Sequence, residues 1–159
     1  MRILGIALLL IVAAEVCLLV LASSEEKLPA GSDLPREQRV SGWQEAANLA
    51  RTDTFKPTSV PEDADGPKLT VRGIPGDSSR PLAAEYGDGL VIREAHMDVD
   101  PQLEDEPAEV EGADDAWWGT VREETYLYVK RGETLVILSG LTREDLLQTA
   151  SSLEPVEHG

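Results

Sequence analysis

The sequence predicts an α+β domain, a curved antiparallel β-sheet packed by an N-terminal and a C-terminal helix, preceded by a single transmembrane helix. Three observations predict it. From Lys68 onward the chain runs in short strand-like segments separated by turn residues. Apolar residues at helical spacing flank that region, at Trp43–Ala50 and Leu146–Leu153. Residues Ile3 to Ala22 form an apolar run of 20 residues carrying one charge, Glu15.

At a rise of ~1.5 Å per residue the run reaches about 30 Å, the thickness of a bilayer's hydrocarbon core. A helix satisfies all its own backbone groups there, as lipid requires. Arg2 and the amino terminus precede the run, and Ser23, Ser24, Glu25 and Glu26 follow it. Positive charge stays on the cytoplasmic side, so residues 1–22 are expected to anchor the chain with its C-terminal domain outside. Two other readings stay open. A cleaved signal peptide would be cut after Ala22, since Val20-Leu21-Ala22 brings a small residue to that position. A lipoprotein would use Cys17, but Glu15 precedes that residue and more apolar chain follows it. Glu15 itself costs about 2.5–3.5 kcal/mol on insertion scales for a central acidic residue. It either faces a partner helix or is carried by the leucines and isoleucines around it.

Residues 23–40 are polar, contain Pro29, Gly31 and Pro35, and read as a flexible linker to a domain over 41–155. Ser41 to Arg51 reads as a short helix, with Ser41 as N-cap and Gln44 completing a capping box. Trp43, Ala46, Ala47 and Ala50 share one face, and their small size suits close packing on a sheet. Thr52 to Gly66 reads as loop with a short extended piece around Phe55.

Strands are expected over Lys68 to Ile74, Leu82 to Tyr86 and Leu90 to Met97. Pro75-Gly76-Asp77 makes the first turn and Gly87-Asp88-Gly89 the second. In the third strand Val91, Arg93 and Ala95 alternate against Leu90, Ile92 and Glu94, which leaves its faces unassigned. Asp98 to Asp115 is an acidic stretch with room for a short strand around Glu109 to Glu111. Three strands follow at Ala116 to Val121, Thr125 to Lys130 and Thr134 to Ser139, the last two joined by a tight turn at Arg131-Gly132-Glu133. The last strand is apolar on both faces, which predicts a central or helix-covered position. Thr142 then caps a helix with Glu144 and Asp145 in its first turn, Leu146, Leu147, Ala150 and Leu153 on one face, and Pro155 as its stop. Residues 156–159 form a tail.

The formal net charge is −16, from 30 acidic and 14 basic residues. Such a surface repels phosphates at long range, so no nucleic-acid partner is expected. Cys17 is the only cysteine, which excludes an intramolecular disulfide and a multi-cysteine zinc site.

Little in the sequence points to chemistry. Only His96 and His158 are present. His96 lies near Asp98 and Asp100, but no serine sits in a nucleophile-elbow context, so it reads as a surface or edge-strand residue. Asp98, Asp100, Glu104, Asp105 and Glu106 offer hard oxygens but lack the spacing and turn glycine of a calcium loop, and Asp114-Asp115 reads as solvated in the same way. Gly87-Asp88-Gly89 lacks the following helix of a phosphate loop. The chain therefore reads as a non-enzyme with no catalytic residue, no cofactor and no metal site. Adjacent residues of a strand face opposite ways, so one of Trp117 and Trp118 should be core. The other is expected on the outer face with Tyr126 or Tyr128, as an aromatic contact patch or as plain cross-strand packing.

Several stretches carry a resemblance. They are Phe55-x-Pro57…Pro61, Glu85-Tyr86-Gly87-Asp88-Gly89 feeding a strand, and the tail Ser139-Gly140-Leu141-Thr142-x-Glu144-Asp145-Leu146-Leu147-x-x-Ala150-x-Ser152-Leu153. Together they resemble a bacterial domain-of-unknown-function family found outside the membrane, whose usual tail is G-L-(S/T)-x-E-(E/D)-L-x-x-(I/V)-A-x-S-L. That family is distantly similar to the LolA-like and RseB-like sheet-plus-helix domains. The resemblance spans roughly Trp43 to Leu153, and its specific part is the tail. The tail also has a structural explanation: Gly140 lets the chain leave the strand, Thr142 caps the helix and the leucines pack it on the sheet. The resemblance implies no catalytic residues.

Anchor and domain together lead to the expectation of a non-catalytic interaction or regulatory module of the cell envelope, held in the membrane by residues 3–22 and meeting an envelope protein. The resemblance implies an alternative, a LolA-like carrier or sensor for an apolar ligand such as a lipid or lipoprotein.

Overall fold

Alternation and turn chemistry give the chain its strands, and register decides which faces they bury. The computed structural model describes residues 37–61, 65–73, 80–97 and 106–159. All belong to one compact unit of the chain, while Met1–Asp33 and Asp100–Glu104 lie outside the described residues. So do the expected anchor, most of the expected linker, the turn at Pro75-Gly76-Asp77 and the acidic residues Asp98, Asp100, Glu104 and Asp105.

The elements in chain order are β1 (Glu37–Val40), α1 (Trp43–Ala50), β2 (Phe55–Pro57), β3 (Lys68–Arg72), β4 (Leu82–Glu85) and β5 (Val91–His96). There follow β6 (Glu106–Pro107), β7 (Asp115–Val121), β8 (Glu124–Arg131), β9 (Thr134–Ser139), α2 (Arg143–Ser151) and β10 (Leu153–Pro155). Eight strands form one sheet in the order β1-β3-β4-β5-β9-β8-β7-β6, and β2 and β10 pair separately as a ribbon. Every pairing is antiparallel. This is the expected α+β arrangement. Among the described residues no helix is long and apolar enough to cross a membrane.

Two meanders, β3-β4-β5 and β7-β8-β9, join where β5 lies beside β9, with Ile92 opposite Leu138 and Glu94 opposite Val136. All six residues of β9 are buried, in keeping with its apolar character on both faces and its place between β5 and β8.

The registers assign the faces. Leu69, Val71, Leu82, Ala84, Ile92, Leu127, Val129, Val136 and Leu138 share one face and form a single core with Ala46 of α1 and Leu146 and Ala150 of α2. Both helices therefore pack on this face, hereafter the helix face. Burying each of its larger aliphatic side chains contributes about 1.5–3 kcal/mol. The alanine face of α1 admits the close approach expected of it, since Ala46, Ala47 and Ala50 are fully buried.

Four expectations are corrected. The domain begins before residue 41, because Glu37–Val40 pairs with β3 as an edge strand. Its single apolar residue, Val40, reaches the core while Glu37 and Arg39 do not, so the segment looks like linker in sequence. Helix α1 starts later than read: Gly42 holds the N-cap position, and Ser41 bonds through its N–H and its hydroxyl to Glu45 at 2.8 and 2.7 Å, not to Gln44. Leu153 is not on α2. The helix ends at Ser151, and Leu153 reaches the core from β10. The strand near Glu109 to Glu111 is instead the two-residue β6, ending at Pro107.

At the head of α2 the expectation holds. The Asp145 N–H donates to the Thr142 hydroxyl oxygen, and Glu144 and Asp145 occupy the first turn.

Candidate functional site

Two groups of side chains stand apart from ordinary core packing. The first lies on the sheet's second face, opposite the helices. In β7 and β8, Trp117 is paired with Tyr128 and Gly119 with Tyr126, and in β9 Ile137 and Ser139 continue the same rows. Trp117 stacks on Tyr128 with ring centroids 5.7 Å apart and planes within 3°. Tyr126 tilts against Tyr128 at 6.2 Å. Gly119 makes room for this cluster, because a Cβ there would stand 2.7 Å from Tyr128 Cε2. Leu135 and Ile137, both buried, continue its apolar rows, while Arg93 and Lys130 share the same face.

Of the four residues expected around an aromatic patch, the structure brings together Trp117, Tyr126 and Tyr128. Trp118 is on the helix face, in the core, with the Arg143 guanidinium 4.7 Å from its ring centroid. The three clustered rings are 5–7% exposed, so they are packed and not freely displayed. The Tyr126 hydroxyl donates to Glu124 at 2.7 Å, and burial with that bond raises its pKa to about 12. The Trp117 indole N–H is shielded from water and has no hydrogen-bond partner among the described residues. Orphaned buried donors are uncommon, and each costs about 1–3 kcal/mol.

The second group fastens the β2–β10 ribbon to the helix face. The Phe55 N–H donates to both carboxyl oxygens of Glu94, at 3.1 and 3.2 Å. The Thr134 hydroxyl donates to the Asp53 carbonyl at 2.8 Å. Arg131 donates to the carbonyls of Leu153, Ala150 and Glu111 at 3.0, 3.2 and 2.8 Å, and its guanidinium lies 5.5 Å from the Phe55 ring centroid. Glu94 is 1% exposed, and burial raises its carboxyl well above the ordinary range, with the Phe55 N–H acting in the opposite direction. Burial likewise lowers Arg131, opposed by Asp114.

Sequence reasoning missed both residues. Glu94 sits in a strand whose faces are ambiguous by alternation, and Arg131 is adjacent to a turn. The signal for Glu94 was its shared parity with Ile92 within β5.

The other chemistry-bearing residues are scattered. His96 ends β5, its Nδ1 4.0 Å from a Glu133 carboxyl oxygen. Glu106 pairs with Arg143 at 2.9 Å. Asp114 accepts from the Gly132 N–H, and Asp115 from the Ala116 N–H at 2.9 Å. Among the described residues no three histidine, cysteine or acidic side chains gather as metal ligands. An open cleft of about 700 Å³ lies beside α1, lined by Gln38, Ser41, Gln44, Glu45, Asn48 and Leu49 among others. Within it the Ser41 hydroxyl bonds to Glu45 and steadies the head of α1.

Comparison of the chain with protein-family models, curated proteins and solved structures finds no match.

Proposed function

We propose that this chain is a non-catalytic interaction module of the cell envelope, anchored by residues 3–22 with its domain on the outer side, that meets a protein partner through the second face of its sheet. The observation that carries this reading is the Trp117–Tyr126–Tyr128 cluster on the face opposite both helices, with an indole N–H that no described residue accepts. Aromatic residues with apolar neighbours and a few donors are the usual makeup of interface centres. Arg93 and Lys130 give this face cations in a chain of net charge −16. The rings are packed, so binding requires this face to open, and the fitting partner is an apolar protein segment that then offers a carbonyl or carboxylate to Trp117. The anchor is supported by the length and composition of Ile3 to Ala22.

The test is a crosslinked pull-down from native membranes with three full-length chains: wild type, Trp117→Phe and Gln148→Ala. Trp117→Phe keeps an aromatic ring and removes the N–H, while Gln148 is exposed on α2. The expected result is one protein captured by wild type and Gln148→Ala and lost with Trp117→Phe. Equal capture by all three, or no specific capture, overturns the reading. N-terminal sequencing of the native protein tests the anchor separately, since a start at Ser23 would show cleavage.

A further inference from the structure

We infer that the β2–β10 ribbon is a pH-released strap, with Glu94 as the latch that holds it on the helix face. The inference goes beyond the interaction reading and does not depend on it.

The ribbon is a body of its own. Among the described residues β2 and β10 pair only with each other, in the register Phe55 to Pro155 and Pro57 to Leu153. The Thr58 N–H to Ser152 and the Val156 N–H to Thr54, at 3.0 and 2.8 Å, close its two ends. Its ties to the sheet include the polar contacts of Glu94, Thr134 and Arg131 and the seating of Phe55 and Leu153 against the core. Of the three polar ties, only the Glu94 carboxyl changes charge in the acid-to-neutral range.

The geometry makes that carboxyl a poor place for a charge. A carboxylate offers about four lone-pair sites, and here a single N–H is shared between both oxygens. The charged and titratable groups around it are few. Asp53 precedes the ribbon and Lys56 follows Phe55 within it, Arg131 stands over the Phe55 ring from β8, His96 lies two residues on along the same face of β5 beside Glu133, and Tyr86 follows β4. Tyr86 responds to the Glu94 charge, and its own pKa is raised to about 12, mainly by burial. Among the described residues no cation pairs with Glu94. The closed strap therefore holds the neutral acid, in agreement with the upward displacement of its pKa.

Lifting the strap admits water to Glu94 and returns it toward its ordinary value of 4.5. Between that value and the raised one, the open state binds fewer protons than the closed state. Each pH unit in that window then multiplies the open-to-closed ratio by up to about tenfold. Opening would uncover the part of the core on which Phe55 and Leu153 rest.

The experiment is hydrogen exchange on the full chain across a pH series, corrected for intrinsic rates. It compares the Phe55, Thr58 and Val156 amides with those of β9. Protection of the ribbon amides is expected to fall as pH rises while β9 stays protected. In Glu94→Gln, which keeps a carbonyl for the Phe55 N–H, this pH dependence should vanish. The inference is overturned if the ribbon's pH dependence persists in Glu94→Gln, if wild type shows none, or if ribbon and β9 open together. Should Glu94→Gln not fold, carboxyl-carbon NMR of wild type decides. A Glu94 midpoint above 4.5 that coincides with ribbon opening supports the latch, and an ordinary midpoint with the ribbon still protected removes it.

Discussion

The carbonyl of Gly89, in the turn between β4 and β5, occupies the place that a side chain on Gly140 would need. Gly140 also has φ +92, in the region L side chains rarely adopt. Here the exit from β9 crosses the β4–β5 turn backbone to backbone, and only glycine allows it. Gly132 offers a control, since it too has a positive φ, +60, but nothing lies within 4 Å of its missing Cβ. Gly140→Ala should therefore cost on the order of 2–4 kcal/mol, from backbone strain plus overpacking. Gly132→Ala should cost about 1 kcal/mol from backbone strain alone. Urea denaturation midpoints measure both, and equal losses would show that the crowding at Gly89 relaxes without cost.

The turn between β7 and β8 invites the opposite change. Val121 pairs with Glu124, so Arg122 and Glu123 alone make the turn, with φ 51 and 70. Positive φ at both central positions is the geometry that Asn-Gly favours in tight hairpins. Arg and Glu hold it at the expense of the ladder on either side. Arg122→Asn combined with Glu123→Gly is expected to raise stability by about 1–2 kcal/mol. Thermal melting checks this, and an unchanged or lower midpoint would mean that the two exposed side chains hold the turn by contacts of their own.

What could be read from the sequence divides along the line between local and non-local causes. Leu135, Val136, Ile137 and Leu138 make Thr134–Ser139 apolar on both faces, and that alone predicts a central or helix-covered place. Thr142 is recognisable as a cap because the helix signal begins just after it. Glu37–Val40 is invisible as a strand because an edge needs only one inward apolar residue, and Val40 supplies it. Leu153 falls at helical spacing after Ala150, and nothing local distinguishes a last helical turn from the first residue of β10. The Arg122-Glu123 turn lacks the glycine or asparagine that would announce it. The pairing of β5 with β9 joins distant stretches of the chain, Glu94 to Val136 among them, and it settles which face Glu94 occupies. The aromatic cluster is half legible: alternation separates Trp117 from Trp118, but only the β7–β8 register selects Trp117 as the partner of Tyr128.

Tyr126 and Tyr86 predict an alkaline limit. Both phenols are raised to about 12, Tyr126 by burial and its bond to Glu124, Tyr86 by burial and the charges of Asp88 and Glu94. A phenol whose folded value exceeds its unfolded value of 10 contributes stability that is complete below pH 10. That contribution is lost as pH rises through 12. Unfolding midpoints should therefore fall across this window. Phenolate absorbance should show Glu124→Gln lowering one midpoint, that of Tyr126, while Tyr86 keeps its own. A single unshifted midpoint near 10 for all three tyrosines would show that neither phenol is protected in solution.

Arg131 binds the end of α2, the loop at Glu111 and the start of β10 with one planar side chain. Its Nη atoms reach the carbonyls of Ala150, Glu111 and Leu153, and a cation beside the last turn of a helix also meets the negative end of the helix dipole. Its Nε is buried without a partner among the described residues, a cost the three carbonyl bonds offset. Lysine keeps the charge but not the fork. A single ammonium cannot serve carbonyls on three separate segments at once. Arg131→Lys should therefore lose about 2 kcal/mol, as hydrogen bonds from a charged group typically carry about 1.5–3 kcal/mol. The loss should be local first, with faster hydrogen exchange at Val156 and Thr58 than in β9. If Arg131→Lys matches wild type in both stability and exchange, dipole and charge alone hold this corner, and the fork geometry contributes nothing.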